Sequence, residues 1–249
     1  MNEITPAVRF DHVTTVLGGR TVLDDISFDI NPGESVVVLG KSGTGKSVTL
    51  KTIMGLMTPD AGRVFVQGEE VTEAPRHVLS EIRQGLGFLF QNAALFDSIS
   101  VGENVAFPLR RHTDCDESEI EKIVASKLAQ VGLEADYDKM PSQLSGGMKK
   151  RVGLARAMVM DPPVLLVDEP SAGLDPITAC EIDELLCALR DEQQTTLVVV
   201  THNIPSARKV GRRLMVLDGG RIVAEGSAEE LDRSTLPLVQ AFMKSEGTG

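Results

Sequence analysis

The sequence predicts an α/β fold on a mostly parallel sheet, and three observations carry that reading. The β-branched run Ser35-Val36-Val37-Val38-Leu39 passes through a glycine-rich loop into residues 48–54, whose apolar side chains recur at helical spacing. Residues 85–90, 164–167 and 197–201 are short, continuous apolar runs of the kind that parallel strands buried on both faces need. From Asn92 to about Met160 the character turns helical, as an insert within the α/β domain. A chain of 249 residues that is 42% hydrophobic can bury a substantial core, and no low-complexity linker divides it.

In chain order, Val8-Arg9-Phe10-Asp11-His12-Val13 and Ile26-Ser27-Phe28-Asp29-Ile30 alternate apolar and polar residues, with Gly18-Gly19 as a turn between them. Asn31-Pro32-Gly33 turns the chain into the run at 35–39. After the loop and its helix, Thr58-Pro59-Asp60-Ala61-Gly62 is the stop signal, residues 63–68 read as a short strand with a turn, and a small helix is expected around 78–83. Within the insert, Ser118-Glu119-Ile120-Glu121 has capping-box form, and Ile120, Ile123, Val124, Leu128 and Val131 make one apolar stripe that stops at Gly132. Ser145-Gly146-Gly147 opens a second helix that ends before Pro162-Pro163. Asp175-Pro176 starts another, with aspartate as cap and proline at the first position. Residues 214–223 read as a hairpin, and the last residues as short helices.

The loop Gly40-Lys41-Ser42-Gly43-Thr44-Gly45-Lys46-Ser47, followed by Val48, has the composition of a phosphate cradle. Its glycines leave room for backbone N–H groups to close on phosphate oxygens, and the next helix adds its positive N-terminal end. Lys46 supplies a full charge and Ser47 a hydroxyl for Mg²⁺. A glycine turn with a purely structural role would need neither Lys46 nor Ser47. The other buried runs also deliver polar residues at their carboxyl ends: Gln91, then Asp168 with Glu169, then His202. Taken singly, each has a bland reading: Gln91 as a surface or capping residue, Asp168 as a turn cap, Glu169 as a solvated acid, His202 as a structural histidine. Yet two adjacent carboxylates are costly at the end of an apolar strand unless they hold a cation or activate a water. The common position of all these residues describes a nucleotide site along one edge of a sheet.

A formal net charge of -11 argues against nucleic acid as the principal ligand, and the cluster Lys149-Lys150-Arg151 is too local to reverse it. Met1-Asn2-Glu3-Ile4-Thr5-Pro6 has neither a basic region nor an apolar run, so no secretory signal is expected, and no apolar stretch reaches the roughly 18 residues of a membrane span. The chain is expected in the cytosol, meeting any membrane through a partner. Cys180 and Cys187 would lie two turns apart on one helix, a rise of roughly 10 Å, too far for a disulfide. With no Cys-x-x-Cys and scattered histidines, metal binding through cysteine is not expected.

On these residues the chain resembles the ATPase subunits of ATP-binding cassette (ABC) transporters over nearly its whole length. Residues 40–47 match the Walker A motif, Gln91 the glutamine loop, and Leu144-Ser145-Gly146-Gly147-Met148 the family signature. Residues 164–169 match Walker B with its adjoining glutamate, Ser171-Ala172-Gly173-Leu174-Asp175 the D-loop, and His202 the switch histidine. Walker A alone covers many NTPases; the signature decides the family. The resemblance implies a P-loop NTPase fold of the ABC ATPase type: one domain over 1–249, a mostly parallel core, an antiparallel β subdomain, and a helical subdomain at about 92–160. It implies ATP as substrate and Mg²⁺ as cofactor, with Lys46 on the β/γ oxygens and Ser47, Gln91 and Asp168 on the cation directly or through water. Glu169 would orient and deprotonate the attacking water, and His202 would bond the γ-phosphate. Two copies would meet head to tail, so that Ser145, Gly146 and Gly147 act on the nucleotide held by the partner's cradle. Hydrolysis would then move integral-membrane permease subunits, with the chain peripheral on the cytoplasmic face of the inner membrane.

One departure concerns the base. Family members commonly stack adenine on an aromatic residue upstream of Walker A, where this chain has Thr14-Thr15-Val16-Leu17-Gly18. Selectivity would then be loose or rest on apolar contact from Val16 or Val22. The permease surface falls, in the family, in Asn92-Ala93-Ala94-Leu95-Phe96-Asp97-Ser98-Ile99, although Leu95, Phe96 and Ile99 would equally pack inside the insert. Leu89-Phe90-Gln91-Asn92-Ala93-Ala94-Leu95-Phe96-Asp97-Ser98, residues 101–109, and Met148 in place of the more usual glutamine resemble the Mla and Mce lipid-transport ATPases. That resemblance implies phospholipid transport between membranes of the cell envelope, with a small regulatory subunit and a periplasmic lipid-binding component as further partners. Amino-acid importers share parts of the pattern, which keeps a polar-solute importer open. Soluble cassette ATPases of ribosomes or DNA repair usually carry two cassettes or a long coiled-coil insertion, and this sequence has neither.

Overall fold

A computed structural model describes residues 5–245; the reading of residues 1–4 as part of a signal-free start lies outside the described residues. Strands β1 (Val8–Leu17) and β2 (Arg20–Ile30) form a hairpin longer than the alternating segments suggest. Register shifts between Phe10 and Val13, Val13 and Thr15, and Thr15 and Val16 explain the difference, because each interrupts the period-two pattern. The buried strand β3 (Ser35–Leu39) leads through the glycine loop into helix α1 (Lys46–Ile53). Strands β4 (Ala61–Val66) and β5 (Glu69–Glu70) complete an antiparallel sheet of order β2-β1-β4-β5. Next come α2 (Arg76–Gln84) and β6 (Leu86–Leu89), then three helices, α3 (Val101–His112), α4 (Glu117–Gln130) and α5 (Gly146–Met158). The chain returns to strand and helix in β7 (Val164–Asp168), α6 (Pro176–Glu192), β8 (Thr196–Thr201) and α7 (Ile204–Val210). It ends in the hairpin β9 (Arg213–Asp218) and β10 (Arg221–Gly226) and the helices α8 (Ala228–Asp232) and α9 (Pro237–Lys244).

The second sheet has the order β10-β9-β3-β8-β7-β6, parallel from β9 to β6 with β10 antiparallel at the edge. Its valine-rich strands alternate between two cores. Val36, Val38 and Val200 pack with Leu50 and Ile53 of α1 and with Phe10 of the antiparallel sheet. Val37, Leu39 and Val199 pack with Leu154, Ile182 and Ala207 of α5, α6 and α7. In the parallel ladder Leu39 pairs with Thr201, Asp168 with Val200, and Leu89 with Val167. The strands therefore finish nearly level, which brings the residues after each of them to one edge.

Within the helical insert, residues 92–100 form turns rather than helix. The cap of α4 is Asp116, not Ser118: Asp116 Oδ1 accepts from Glu119 N at 2.9 Å, and Glu119 Oε2 accepts from Asp116 N at 3.2 Å. Asp116 wins because it lies one turn before the apolar stripe, whereas Ser118 already lies within the first turn. Ile120, Val124, Leu128 and Val131 of that stripe are buried, and Ile123 is half-buried. Cys115, Cys180 and Cys187 are all free thiols.

Candidate active site

The cradle loop is shaped by two glycines that nothing larger can replace. A Cβ on Gly40 would meet Thr44 Oγ1 at 2.5 Å and Leu217 O at 2.7 Å. Gly45 caps α1 at φ 104°, and a Cβ there would approach Val22 O to 2.8 Å. Thr44 Oγ1 donates to Lys41 O at 2.9 Å, closing the loop on itself. The first N–H groups of α1 have no acceptor within the helix and so point into the loop, as anion sites at helix starts require. Lys46, only 6% exposed, donates to Gly40 O at 2.7 Å and Lys41 O at 3.1 Å and pairs with Glu169 Oε1 at 3.3 Å.

Across the sheet edge, Ser47 Oγ donates to Asp168 Oδ1 at 3.0 Å. Burial pushes the Asp168 carboxyl up from its ordinary value, as does the neighbouring Glu169 charge, while the Ser47 hydrogen bond opposes the rise. Glu169 goes the other way. Its burial also raises the carboxyl, but the His202 hydrogen bond, the Lys46 charge and the Thr201 hydroxyl outweigh that and hold it below the usual range. Its Oε2 accepts from Thr201 Oγ1 at 3.0 Å, from His202 N at 3.3 Å and from the His202 ring at Nδ1, 3.0 Å away. Two adjacent acids whose environments drive them apart suit separate tasks, an ionised base and a cation ligand. Glu169 also sits at φ 46°, a left-handed backbone that an ordinary side chain adopts at some cost.

A cavity of about 720 Å³ opens beside the cradle, large enough for one nucleoside triphosphate. Lys41, Ser42, Gly43, Gly45, Lys46, Ser47 and Val48 line it, together with Gln91, Glu169 and His202. Gly40 and Thr44 shape the loop from behind, and Asp168 reaches the cavity through Ser47. Ser145, Gly146 and Gly147 are not among its lining residues: Ser145 and Gly146 face solvent at the start of α5, where Ser145 Oγ accepts from Met148 N at 3.2 Å. Of the two base contacts expected from sequence, Val22 lines the cavity and Val16 does not; Leu17 takes its place. The donor set of one hydroxyl, one carboxylate and the Gln91 amide is all hard oxygen, which fits Mg²⁺, a cation that keeps waters and phosphate oxygens in its shell. Among the described residues no group of three or more His, Cys, Asp or Glu could hold a metal ion.

The sequence marks Lys150 only as part of a basic cluster, yet the structure buries it to 4% exposure on α5 and points its amine at Glu169 O, 2.9 Å away. Its spacing with Gly147, Leu154 and Met158 places it on the buried face of α5, a signal that periodicity alone could have given. Burial lowers the Lys150 amine to about 8, against the opposing charges of Asp168 and Glu169. Below about pH 8 the amine is charged whether the chain is folded or not, and the folded form carries the desolvation cost. Between about pH 8 and the ordinary lysine value of 10.5 only the unfolded chain holds the proton, so stability should rise with pH across that window. Lys150→Met should flatten that rise in urea-unfolding midpoints; the wild-type slope persisting in the variant would contradict it.

Behind Gln91, Phe90, Phe96 and Phe107 are 38%, 44% and 48% exposed, in contrast to Leu95, which packs against the core. Phe96 and Phe107 lie 4.9 Å apart, and with Phe88, Phe90 and Met160 they line a groove of about 430 Å³. The buried Asn104 sets the path of this segment, accepting from Phe96 N at 2.8 Å and donating to Phe96 O, Ile99 O and Ser100 O.

Fold and site together define a P-loop nucleotide-binding protein. The family profile described as ABC transporter matches residues 23–172. The probable ribonucleotide transport ATP-binding protein mkl of Mycobacterium leprae is 42% identical over 243 residues, covering 98% of this chain and 70% of that protein. The intermembrane phospholipid transport system ATP-binding protein MlaF of Haemophilus influenzae is 36% identical over 242 residues, 97% of this chain and 92% of that one. Among solved structures, the ATP-binding cassette MJ0796, a dimer in a post-hydrolysis state bound to ADP and Pi, superposes with a TM-score of 0.82 at 34% identity over 88% of this chain and 98% of that one. The chain belongs to the ABC transporter family.

Proposed function

We propose that the chain is the ATP-hydrolysing subunit of a transporter that moves phospholipid between membranes of the cell envelope, working as a head-to-tail homodimer beneath integral-membrane permease subunits. The observation that carries the chemistry is the meeting of Lys46, Ser47, Asp168, Glu169 and His202 at one sheet edge beside a phosphate-sized loop. Lys46 and the loop N–H groups hold the β- and γ-phosphates, and Ser47, Asp168 and Gln91 present oxygen to Mg²⁺. When bound, Mg²⁺ neutralises phosphate charge. Phosphate oxygens compete with Glu169 for Lys46, which leaves the carboxylate to take a proton from water while His202 steadies it. Ser145 and Gly146, exposed at a helix start, and Gly147, buried just behind them, all lie outside the lining of their own cavity and serve the nucleotide of the second copy, an arrangement supported by the dimeric state of the MJ0796 cassette.

The permease subunits dock on the phenylalanine groove behind Gln91, which places the chain on the cytoplasmic face of the inner membrane; no described helix is long and apolar enough to cross a membrane itself. Phe107→Asp should leave ATP binding intact and release the permease in pull-down, and an undiminished pull-down would move the docking site elsewhere. Phospholipid is favoured as cargo by the resemblance over residues 89–109 and by the relative named as the ATP-binding protein of an intermembrane phospholipid transport system, 92% of which this chain covers. The ribonucleotide-transport name of the other relative makes a polar solute the second reading. The complex purified with its permease and reconstituted in liposomes decides between them: hydrolysis should respond to phospholipid and not to added ribonucleotide, and the reverse would transfer the cargo assignment. Lys46→Ala should weaken nucleotide binding and turnover together while the fold persists, as read by calorimetry and thermal melts. Unchanged affinity would remove Lys46 from the cradle.

A further inference from the structure

The cavity beside the cradle has a wall that comes from the far end of the chain. Helix α9 turns two faces in different directions. Val239 and Met243, one turn apart, are buried in the core and anchor it. Leu238, Ala241, Phe242 and Ser245 recur at the i, i+3, i+4, i+7 spacing of a single helical stripe, and all four line the cavity that Lys46 and Ser47 also line. Phe242 is the one phenyl ring among the lining residues, because the β1–β2 hairpin contributes only the aliphatic Leu17 and Val22. A nucleotide needs charge and N–H groups at its phosphates and an apolar slot with a π face at its base. The cradle meets the first need and α9 the second. The geometry points to α9 as the base-binding wall of the site: Phe242 stacks on the nucleobase of the triphosphate held by the cradle, with Leu17 and Val22 completing the slot. This assignment rests on the reading of the cavity as a nucleotide site.

The test uses the full chain and two probes, Mg-ATP and Mg-tripolyphosphate, the second having phosphates and no base, with both affinities read by calorimetry or by displacement of a fluorescent nucleotide. Phe242→Ala should weaken ATP by roughly 5- to 100-fold, the range for losing one aromatic stack on a base, and leave tripolyphosphate unchanged. Phe242→Leu keeps apolar volume and removes the π face, so it should also lose ATP affinity, whereas Phe242→Trp should retain it. The conservative pair guards against a fold defect in the alanine variant. Wild-type ATP affinity in Phe242→Ala, or equal losses for both probes, would overturn the assignment and leave the nucleotide reading standing. Tighter ATP binding in the variant would make α9 a plug that nucleotide displaces, which also overturns it. A wild-type chain that binds neither probe would instead sink the nucleotide reading itself.

Discussion

Replacing Glu169 with glutamine should leave ATP bound and lower turnover about 10²- to 10⁴-fold, the range for losing a positioned general base. The substitution is nearly isosteric, so the side-chain oxygen can still accept from Thr201 Oγ1 and the His202 ring, which lie 3.0 Å away in each case. What disappears is the charge. The native carboxyl is held below its ordinary value by His202, Lys46 and Thr201 against the opposing effect of burial, so it is ionised throughout the neutral range and ready to take a proton. Glutamine cannot take one. It also stops competing for Lys46, whose amine lies 3.3 Å from Glu169 Oε1, so ATP should bind at least as tightly as before. The closed, ATP-loaded dimer should accumulate. Normal steady-state hydrolysis by this variant within the assembled transporter would take the role of base away from Glu169.

The cradle and the edge residues were legible in the sequence because parallel strands buried on both faces must be continuously apolar, which makes the polar residue ending each run conspicuous. Gln91, Asp168, Glu169 and His202 stood out for that reason. Helix α3 did not, since Gly102 and Pro108 dilute its helical signal, and its capping box of Ser100 and Glu103 precedes a weak stripe. That Leu17 and not the expected Val16 lines the cavity follows the register shift between Thr15 and Val16, because a one-residue shift exchanges the faces of a strand and leaves no trace in composition. Lys150 was readable from the periodicity of α5, but its acceptor was not: the carbonyl of Glu169 is 19 residues away and comes close only when α5 packs against the end of β7. Phe242 is the extreme case. Its stripe on α9 is regular, yet only the tertiary fold brings it to a loop some 200 residues earlier.

Ser145→Arg should leave nucleotide binding to the isolated monomer nearly intact and abolish dimer closure. The first half follows from distance within the chain, since Ser145 faces solvent at the start of α5 and is not among the residues lining its own cavity. Loss of its cap to Met148 N costs about 1 kcal/mol, which a helix buried through Val152 and Leu154 can absorb. Gly147 would be a poorer choice, because a Cβ there would lie 2.2 Å from Thr178 Cγ2 and disturb the start of α6 in its own subunit. The second half follows from the proposed head-to-tail arrangement: an arginine at this position would crowd the γ-phosphate and the helix N–H groups meant for it. Ser145→Ala, which removes the cap without adding bulk, separates capping from obstruction and should close with at most a modest loss. Mixed dimers give the sharper reading. With Ser145→Arg on one subunit and Lys46→Ala on the other, both lesions fall in one composite site and the twin remains whole, so one ATP should be trapped per dimer. With both substitutions on the same subunit, each site is damaged once and trapping should fail at both. The reverse pattern, with one ATP trapped only when both substitutions share a subunit, would mean that each cavity works with its own signature, and equal trapping would mean that the signature serves neither; either result would make the head-to-tail site the wrong architecture for this protein.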